Sequence, residues 1–178
     1  IRKDCLYCDS SQSEKRKSVI RFLNIILDSL LKWFAPILSF TTEEIFRLIY
    51  NNKKSVHLEK FVQFPEKIKN DKLNKKWIQL IKIRDVCNLS IEQKRAEKVI
   101  GSSLEASINI KLDKKNLEIV KDIDFSELCI TSAANIELID NSNLEVITKK
   151  AEGNKCSVCW KIKPESCDRH GCGLTDVK

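Results

Sequence analysis

The sequence predicts a mainly α-helical fold with an α+β part, and three observations support this prediction. Apolar residues recur at helical spacing through about the first hundred positions. The period then changes to strict alternation, which is typical of a strand with one buried face. Four of the eight cysteines lie within residues 156–172. We therefore expect a helical bundle over residues 1–100, a small α/β junction subdomain over 101–150 and a cysteine-rich tail over 151–178.

Three helices are expected in the bundle. The capping box, in which a hydroxyl and a carboxylate bind the first free amides of a helix, occurs twice: Ser11 with Glu14, and Thr41 with Glu44. The first of these helices should end near residue 34 and the second near Asn51. A long third helix should run from about Asp71 to Lys98. Because Trp33 and Trp77 lie on apolar helix faces, we expect both in the core.

The junction subdomain should contain strands around one short helix. Alternating apolar residues predict a strand over residues 104–112. A short helix over 113–121 follows, with Asp113 as its N-terminal cap. Further strands are expected over residues 128–131, 136–139 and 144–148.

The composition describes an ordinary globular chain. Hydrophobic residues make up 42% and charged residues 32% of the 178 positions, which excludes wholesale disorder. The most apolar stretch, residues 22–40, contains Asp28 and Lys32 and has helical spacing, so we do not expect a membrane span. The uneven cysteines and the lack of a signal peptide predict a reduced, cytoplasmic protein. The chain contains no Met, so we expect it to be a fragment of a longer protein.

Positive charge is concentrated in one quarter of the chain. Residues 51–100 carry 13 basic against 6 acidic side chains, which equals the net charge of +7 for the whole chain. Clustered lysines favour a polyanion partner, because they displace counterions from phosphates. The alternative is a solvated lysine-rich surface without a partner. Most of this charge belongs to ten side chains: Lys53, Lys54, Lys60, Lys67, Lys69, Lys72, Lys75, Lys76, Lys82 and Arg84.

The cysteine-rich tail predicts a structural metal site. Two thiolates two residues apart can bind one ion, and a second pair about a dozen residues later completes a tetrahedral zinc site. A tail with few apolar side chains needs such a ligand to fold. We expect zinc on Cys156, Cys159, Cys167 and Cys172, with His170 as the substitute for Cys167 or Cys172. A redox pair is the alternative, although Pro164 and the glycines favour turns over the helix that such a motif opens.

Outside the cysteine-rich tail, the sequence contains few candidates for catalytic or binding residues. His57 has no catalytic partner at useful spacing, so we expect a structural role for it. The sequence contains no glycine-rich phosphate loop, nucleophile elbow or paired-carboxylate motif, and we therefore predict no catalytic residue in this chain. Trp160 directly follows the first thiol pair, where it either covers the metal or offers a face on which a base stacks.

Several segments, in order along the chain, resemble the C-terminal part of bacterial isoleucyl-tRNA synthetases, which are class I aminoacyl-tRNA synthetases. They are IRKDCLYCD at 1–9, APILSFTTEEI at 35–45, SVHL at 55–58 with FP at 64–65, IGSSLEA at 100–106, and the terminal Cys156-x-x-Cys159-Trp160. The first segments also occur in valyl and leucyl relatives, so the same region of one of those enzymes is an alternative. A standalone zinc-containing RNA-binding module is another alternative.

The resemblance implies a helical anticodon-binding domain over residues 1–100 and a zinc-binding tail. The parent would be a monomeric ligase that attaches isoleucine to tRNA(Ile) using ATP and Mg²⁺, with its catalytic and editing domains upstream of this chain. This chain would bind the anticodon stem-loop, and the residues expected to contact tRNA are Trp160, Arg169, Lys75, Lys76, Lys82 and Arg84. The family's second ligand pair is usually Cys-x-x-Cys, whereas here four residues separate Cys167 from Cys172.

Overall fold

The computed structural model describes residues 3–51, 54–140, 144–167 and 169. The chain divides into two compact units, Ile1–Lys69 and Asn70–Lys178, which we call the helical unit and the sheet unit. No helix in the described part of the chain is long and apolar enough to cross a bilayer.

The helical unit contains three α-helices and two short 3₁₀ turns. They are α1 (Lys3–Cys8), α2 (Glu14–Phe34), α3 (Ser39–Tyr50), and the turns Val56–Leu58 and Glu66–Ile68. Its core is small and is formed where α2 and α3 meet the first turn: Leu31, Ala35, Phe46 and Val56 are buried, with Leu27 packed against them. Trp33 on α2 is 51% exposed, so its predicted place in the core is wrong.

The capping boxes predicted for α2 and α3 are wrong. The cap of α2 is Ser13, whose hydroxyl accepts the amide of Arg16 at 3.4 Å. At α3, a turn closed by the Phe34 carbonyl brings the chain into the helix at Ser39, and no side chain caps it. The predicted end of α3 is confirmed, because Asn51 adopts a left-handed conformation with φ 44°.

The sheet unit begins with one long helix and continues as a mixed sheet with two short helices. Besides a 3₁₀ turn at Ser103–Glu105, its elements are α4 (Asp71–Ala96), β1 (Ala106–Leu112), α5 (Lys114–Val120), α6 (Phe125–Leu128), β2 (Ala133–Leu138), β3 (Glu145–Lys150), β4 (Asn154–Lys155) and β5 (Ile162–Lys163). The three longer strands form a sheet in the order β2-β1-β3, with β1 parallel to β2 and antiparallel to β3. Strands β4 and β5 form a separate two-stranded sheet.

The core of the sheet unit lies between α4 and one face of the sheet. Every second residue of β1 is buried, as the alternation predicts. From α4 the same cluster receives four buried side chains: Leu80, Ile83, Cys87 and Ile91. A hydrogen bond of 2.7 Å between the hydroxyls of Ser90 and Thr148 also joins α4 to β3. The helix that we assigned to the bundle thus packs on the sheet, and its Trp77 is 39% exposed rather than in the core.

Two predictions for the junction have opposite outcomes. The short helix α5 is confirmed together with its cap, because the Asp113 carboxylate accepts the Asn116 amide at 3.0 Å. The predicted strand over residues 128–131 is wrong. Asp124 accepts the amides of Ser126 and Glu127 and starts α6 there. After α6 the chain turns at Ile130, whose φ is 58°.

Candidate metal centre

A two-stranded hairpin brings the first two tail cysteines together. Strands β4 and β5 pair Asn154 with Lys163 and Lys155 with Ile162. In the loop between them, the amide of Cys156 donates to the Lys161 carbonyl at 3.0 Å, and the amide of Trp160 donates to the Cys156 carbonyl at 3.0 Å. The loop therefore closes on itself. We call residues 154–167 the knuckle.

Gly153 makes the tight entry to this hairpin possible. Its φ of 121° is a conformation that residues with a side chain rarely adopt. A Cβ atom built there would collide with the Lys163 carbonyl oxygen. The close approach of β4 and β5 therefore requires glycine at this position.

Three thiols converge in the knuckle. The Sγ atoms of Cys156, Cys159 and Cys167 all lie within 4.8 Å of one another, and Cys159 and Cys167 are 3.7 Å apart. Zinc–sulfur bonds of about 2.3 Å in a tetrahedral site place neighbouring sulfurs about 3.8 Å apart. The three thiols can thus hold one metal ion. The predicted ligand Cys172 and its substitute His170 lie outside the described residues.

Without a metal, the electrostatics of the cluster favour protonated thiols, so a bound ion would displace their protons. Burial raises the pKa of Cys159 to about 11, and hydrogen bonds with Cys156 and Cys167 act in the same direction. Three thiolates at this spacing repel one another, whereas a coordinated divalent cation stabilises all of them.

Hydrogen bonds join the knuckle and the segment before it to residues that flank β1 and β2 of the three-stranded sheet. The amide of Ala151 donates to the Glu105 carbonyl at 2.8 Å. On the other side, the amide of Ile162 donates to the Ser132 hydroxyl at 2.6 Å. Sequence reasoning missed Ser132 because its partner lies 30 residues away, and no local pattern marks such a contact.

Trp160 lies at the surface of the knuckle. Its side chain is 50% exposed, its φ is 63°, and its indole N–H donates to the Ser157 carbonyl at 3.2 Å. Arg169 is partly exposed and follows Cys167 by two residues. The residue is thus partly exposed to solvent.

The predicted basic residues of α4 do not share one environment. Lys75 and Lys82 are exposed and, being seven residues apart, lie on the same face of the helix. Lys76 is partly buried, close to the face that packs on the sheet. Arg84 donates through Nε to the Leu128 carbonyl at 3.0 Å and so joins α4 to the end of α6. The structure therefore brings two of the four basic side chains to one exposed face.

Comparison with known proteins adds an independent finding. The model of the family described as the anticodon-binding domain of tRNA ligase matches residues 1–110. The chain is 61% identical over 170 residues to the isoleucine–tRNA ligase of Pelagibacter ubique, in a match that covers 96% of this chain and 19% of the relative. The corresponding ligases of Bradyrhizobium diazoefficiens and Agrobacterium fabrum are 41% and 40% identical, with 91% of this chain covered in both matches and 17% and 18% of the relatives. The chain spans about a fifth of the length of these relatives.

Proposed function

The chain belongs to the anticodon-binding domain family of tRNA ligases, and we propose that it is the tRNA-recognition region of an isoleucine–tRNA ligase. The observation that supports this most directly is the similarity of nearly the whole chain to isoleucine–tRNA ligases. In the proposed parent reaction, isoleucine is attached to tRNA(Ile) at the expense of ATP with Mg²⁺. This region would bind the anticodon stem-loop and so orient the tRNA for chemistry that takes place elsewhere in the parent.

Such a task needs two kinds of contact. Contacts to phosphates position an RNA, and contacts to unpaired bases identify it. Lys75 and Lys82 on the exposed face of α4 suit the first role, and Lys76 and Arg84 are the two further basic residues of this helix that we expect to contact tRNA. Trp160 suits the second, since a half-exposed indole offers a face on which a base can stack. Arg169 in the tail adds a further cation for phosphate or base.

The proposed metal is a single structural zinc ion. Cys156, Cys159 and Cys167 supply three soft ligands at suitable spacing, and Cys172 or His170 would supply the fourth. Four protein ligands leave no open position for a catalytic water, so the ion would order the knuckle and take no part in the reaction. Changing Cys167, His170 and Cys172 singly identifies the ligands, because only the noncoordinating residue can be replaced with full zinc affinity retained.

Binding of tRNA transcripts tests the proposed function. The zinc-loaded chain should bind tRNA(Ile) more tightly than the same transcript with a substituted anticodon, and more tightly than tRNA(Val) or tRNA(Leu). Equal affinity for all of these transcripts would contradict anticodon recognition, and a preference for tRNA(Val) or tRNA(Leu) would assign the chain to another ligase.

The salt dependence of binding tests the basic surface. Each phosphate contact contributes roughly 0.7–0.9 to the slope of log affinity against log salt. Replacing Lys75, Lys76 and Lys82 together by Gln should therefore flatten the slope. The matched control removes three lysines from α5 and its C-terminal end: Lys114, Lys115 and Lys121. If both triple variants change the slope equally, α4 is not the phosphate-binding surface.

A further inference from the structure

We propose that Ser132 is a positioning residue that holds the knuckle in one orientation on the three-stranded sheet. The consequence for RNA rests on the proposed function: a fixed knuckle presents Trp160 to the tRNA in a single direction. The inference about orientation itself rests only on the contacts around Ser132.

Three separate segments of the chain meet at the Ser132 side chain, which is only 6% exposed. Its hydroxyl donates to the Leu104 carbonyl, just before β1, and accepts the amide of Ile162 in β5 at 2.6 Å. Its own amide donates to the Ala106 carbonyl at 3.0 Å. One buried hydroxyl therefore joins the knuckle to the start of the central strand.

The knuckle lacks the apolar anchor that would otherwise fix its position. Among the described residues from 151 onward, no aliphatic or aromatic side chain is buried. Each strand of the hairpin is only two residues long. The orientation of the knuckle must therefore come from polar contacts, which are directional.

Two points of attachment are needed to prevent rotation, and the structure provides one on the segment that leads into β4 and one on β5. The first is the Ala151 amide on the Glu105 carbonyl, just before β4. The second is the Ile162 amide on Ser132, in β5. Two other contacts are longer: Lys161 Nζ is 3.4 Å from the Ser126 hydroxyl, and Lys155 Nζ is 3.8 Å from the Glu105 carboxylate. Lysine side chains are flexible, so these contacts restrict rotation much less.

A hydroxyl is the group that this position requires. It donates one hydrogen bond and accepts another at the same time, which a methyl group does not. In Ser132→Ala, the Leu104 carbonyl and the Ile162 amide both lose their partner. Ser132→Thr keeps the hydroxyl and should rescue the contact. Ser126→Ala is the matched control, because it removes a serine hydroxyl that contacts the knuckle only through a lysine side chain.

Hydrogen exchange and residual dipolar couplings of the zinc-loaded chain test the inference. In Ser132→Ala the Ile162 amide should exchange at least about tenfold faster, since one well-formed buried hydrogen bond is lost. Amides of β1 should keep their rates, and zinc should remain bound at one ion per chain. One alignment tensor should fit the knuckle and the sheet together in wild type, Ser132→Thr and Ser126→Ala, whereas Ser132→Ala should need two tensors.

The outcomes separate this inference from the proposed function. An unchanged Ile162 exchange rate and a single tensor in Ser132→Ala would overturn the inference, whatever happens to tRNA affinity. Loss of orientation with unchanged tRNA affinity would overturn the role of Ser132 in RNA presentation. A wild-type chain that discriminates no tRNA would refute the proposed function, while the exchange data would still decide the role of Ser132 in orientation.

If Ser132→Ala does not fold, amide hydrogen exchange in the wild-type chain tests the role of Ser132 instead. The Cys156 amide is bonded within the knuckle, whereas the Ile162 amide is bonded to Ser132 on the sheet. When zinc is removed, the Ile162 amide should keep more of its protection than the Cys156 amide. Equal loss of protection at both amides would overturn the inference.

Discussion

The sheet core and the knuckle belong to the same unit but are stabilised by different means. The sheet core contains twelve buried residues, which come from α4, β1, α5, α6 and the segments that join them. The described residues from 151 onward contain no buried aliphatic or aromatic side chain, and they are ordered by backbone hydrogen bonds, three converging thiols and two attachment points. Burying one large apolar side chain contributes about 1.5–3 kcal/mol, so the sheet can fold without a ligand, whereas the knuckle depends on its metal.

Removal of the metal should have the largest effect and should separate the two regions. Structural zinc contributes about 10–16 kcal/mol in small zinc-binding peptides. A chelator or Cys156→Ser should therefore abolish the protection of amides that are bonded within the knuckle, such as those of Cys156 and Trp160, and leave β1 protected. Elemental analysis and amide exchange measure this outcome.

Val158→Ala is the matched control for metal removal, because it changes a side chain of the same loop that is not a ligand. It should retain zinc. Loss of β1 protection on chelation, or a knuckle that stays ordered without metal, would contradict the division between the two regions.

Truncation of a core side chain should destabilise the sheet core and not the knuckle. Phe125 is 1% exposed in the sheet core, and Phe125→Ala should lower the free energy of unfolding of the sheet by about 3–5 kcal/mol. The exchange of β1 amides in denaturant measures this change. Leu138→Ala on β2, where the side chain is 55% exposed, should cost less than about 1 kcal/mol. Equal losses in the two variants would show that the burial of Phe125 does not stabilise the sheet.

A backbone change at the hairpin should weaken the knuckle alone. Gly153→Ala places a Cβ against the Lys163 carbonyl at a φ of 121°, and such strain costs about 1–3 kcal/mol. We expect zinc affinity to fall by about five- to 150-fold with the sheet unchanged. In the control Gly101→Ala, the new Cβ meets only the flexible Glu105 side chain at 3.6 Å, so zinc affinity should stay the same. Equal zinc affinity in Gly153→Ala and wild type would contradict the requirement for glycine.

The smallest effect is expected from a carboxylate beside the first attachment point. A hydrogen bond from the Gly101 amide lowers the pKa of Glu105 below its ordinary value of 4.5, and the charges of Lys155 and Lys150 lower it further. Folding therefore favours the ionised form, so this contribution to stability is present above pH 4.5 and is lost as the pH falls through the lower folded pKa. Below pH 4.5, the sheet of wild type should lose stability more steeply than that of Glu105→Gln.

This pH dependence is best measured by denaturant unfolding of the metal-free chain, so that protonation of the thiols does not contribute. Glu118→Gln on α5 serves as the control, since Glu118 is exposed. Identical pH profiles for wild type and Glu105→Gln would show that the carboxylate contributes nothing to the sheet.

Local patterns in the sequence were sufficient wherever the deciding contacts are local. The alternation in β1 and the Asp113 cap of α5 each depend on residues a few positions apart, and both predictions are confirmed. The prediction of a strand at 128–131 was wrong because a short apolar run is compatible with a strand or a helix. The Asp124 cap starts helix α6 just before this run, and α6 includes its first residue. Trp33 was misplaced because an apolar helix face indicates what can be buried, while the partner that buries it must come from elsewhere in the chain.

The sequence by itself determined the kinds of element, the thiols of the metal centre and the resemblance to isoleucyl-tRNA synthetases, since spacing and residue type carry all three. Only the tertiary structure decided that α4 packs on the sheet, that β1 lies between β2 and β3, and that Ser132 joins the knuckle to the sheet. The physical reason is the distance along the chain. Ser90 and Thr148 are 58 residues apart and Ser132 and Ile162 are 30 apart, and contacts over such separations leave no periodic trace in the sequence.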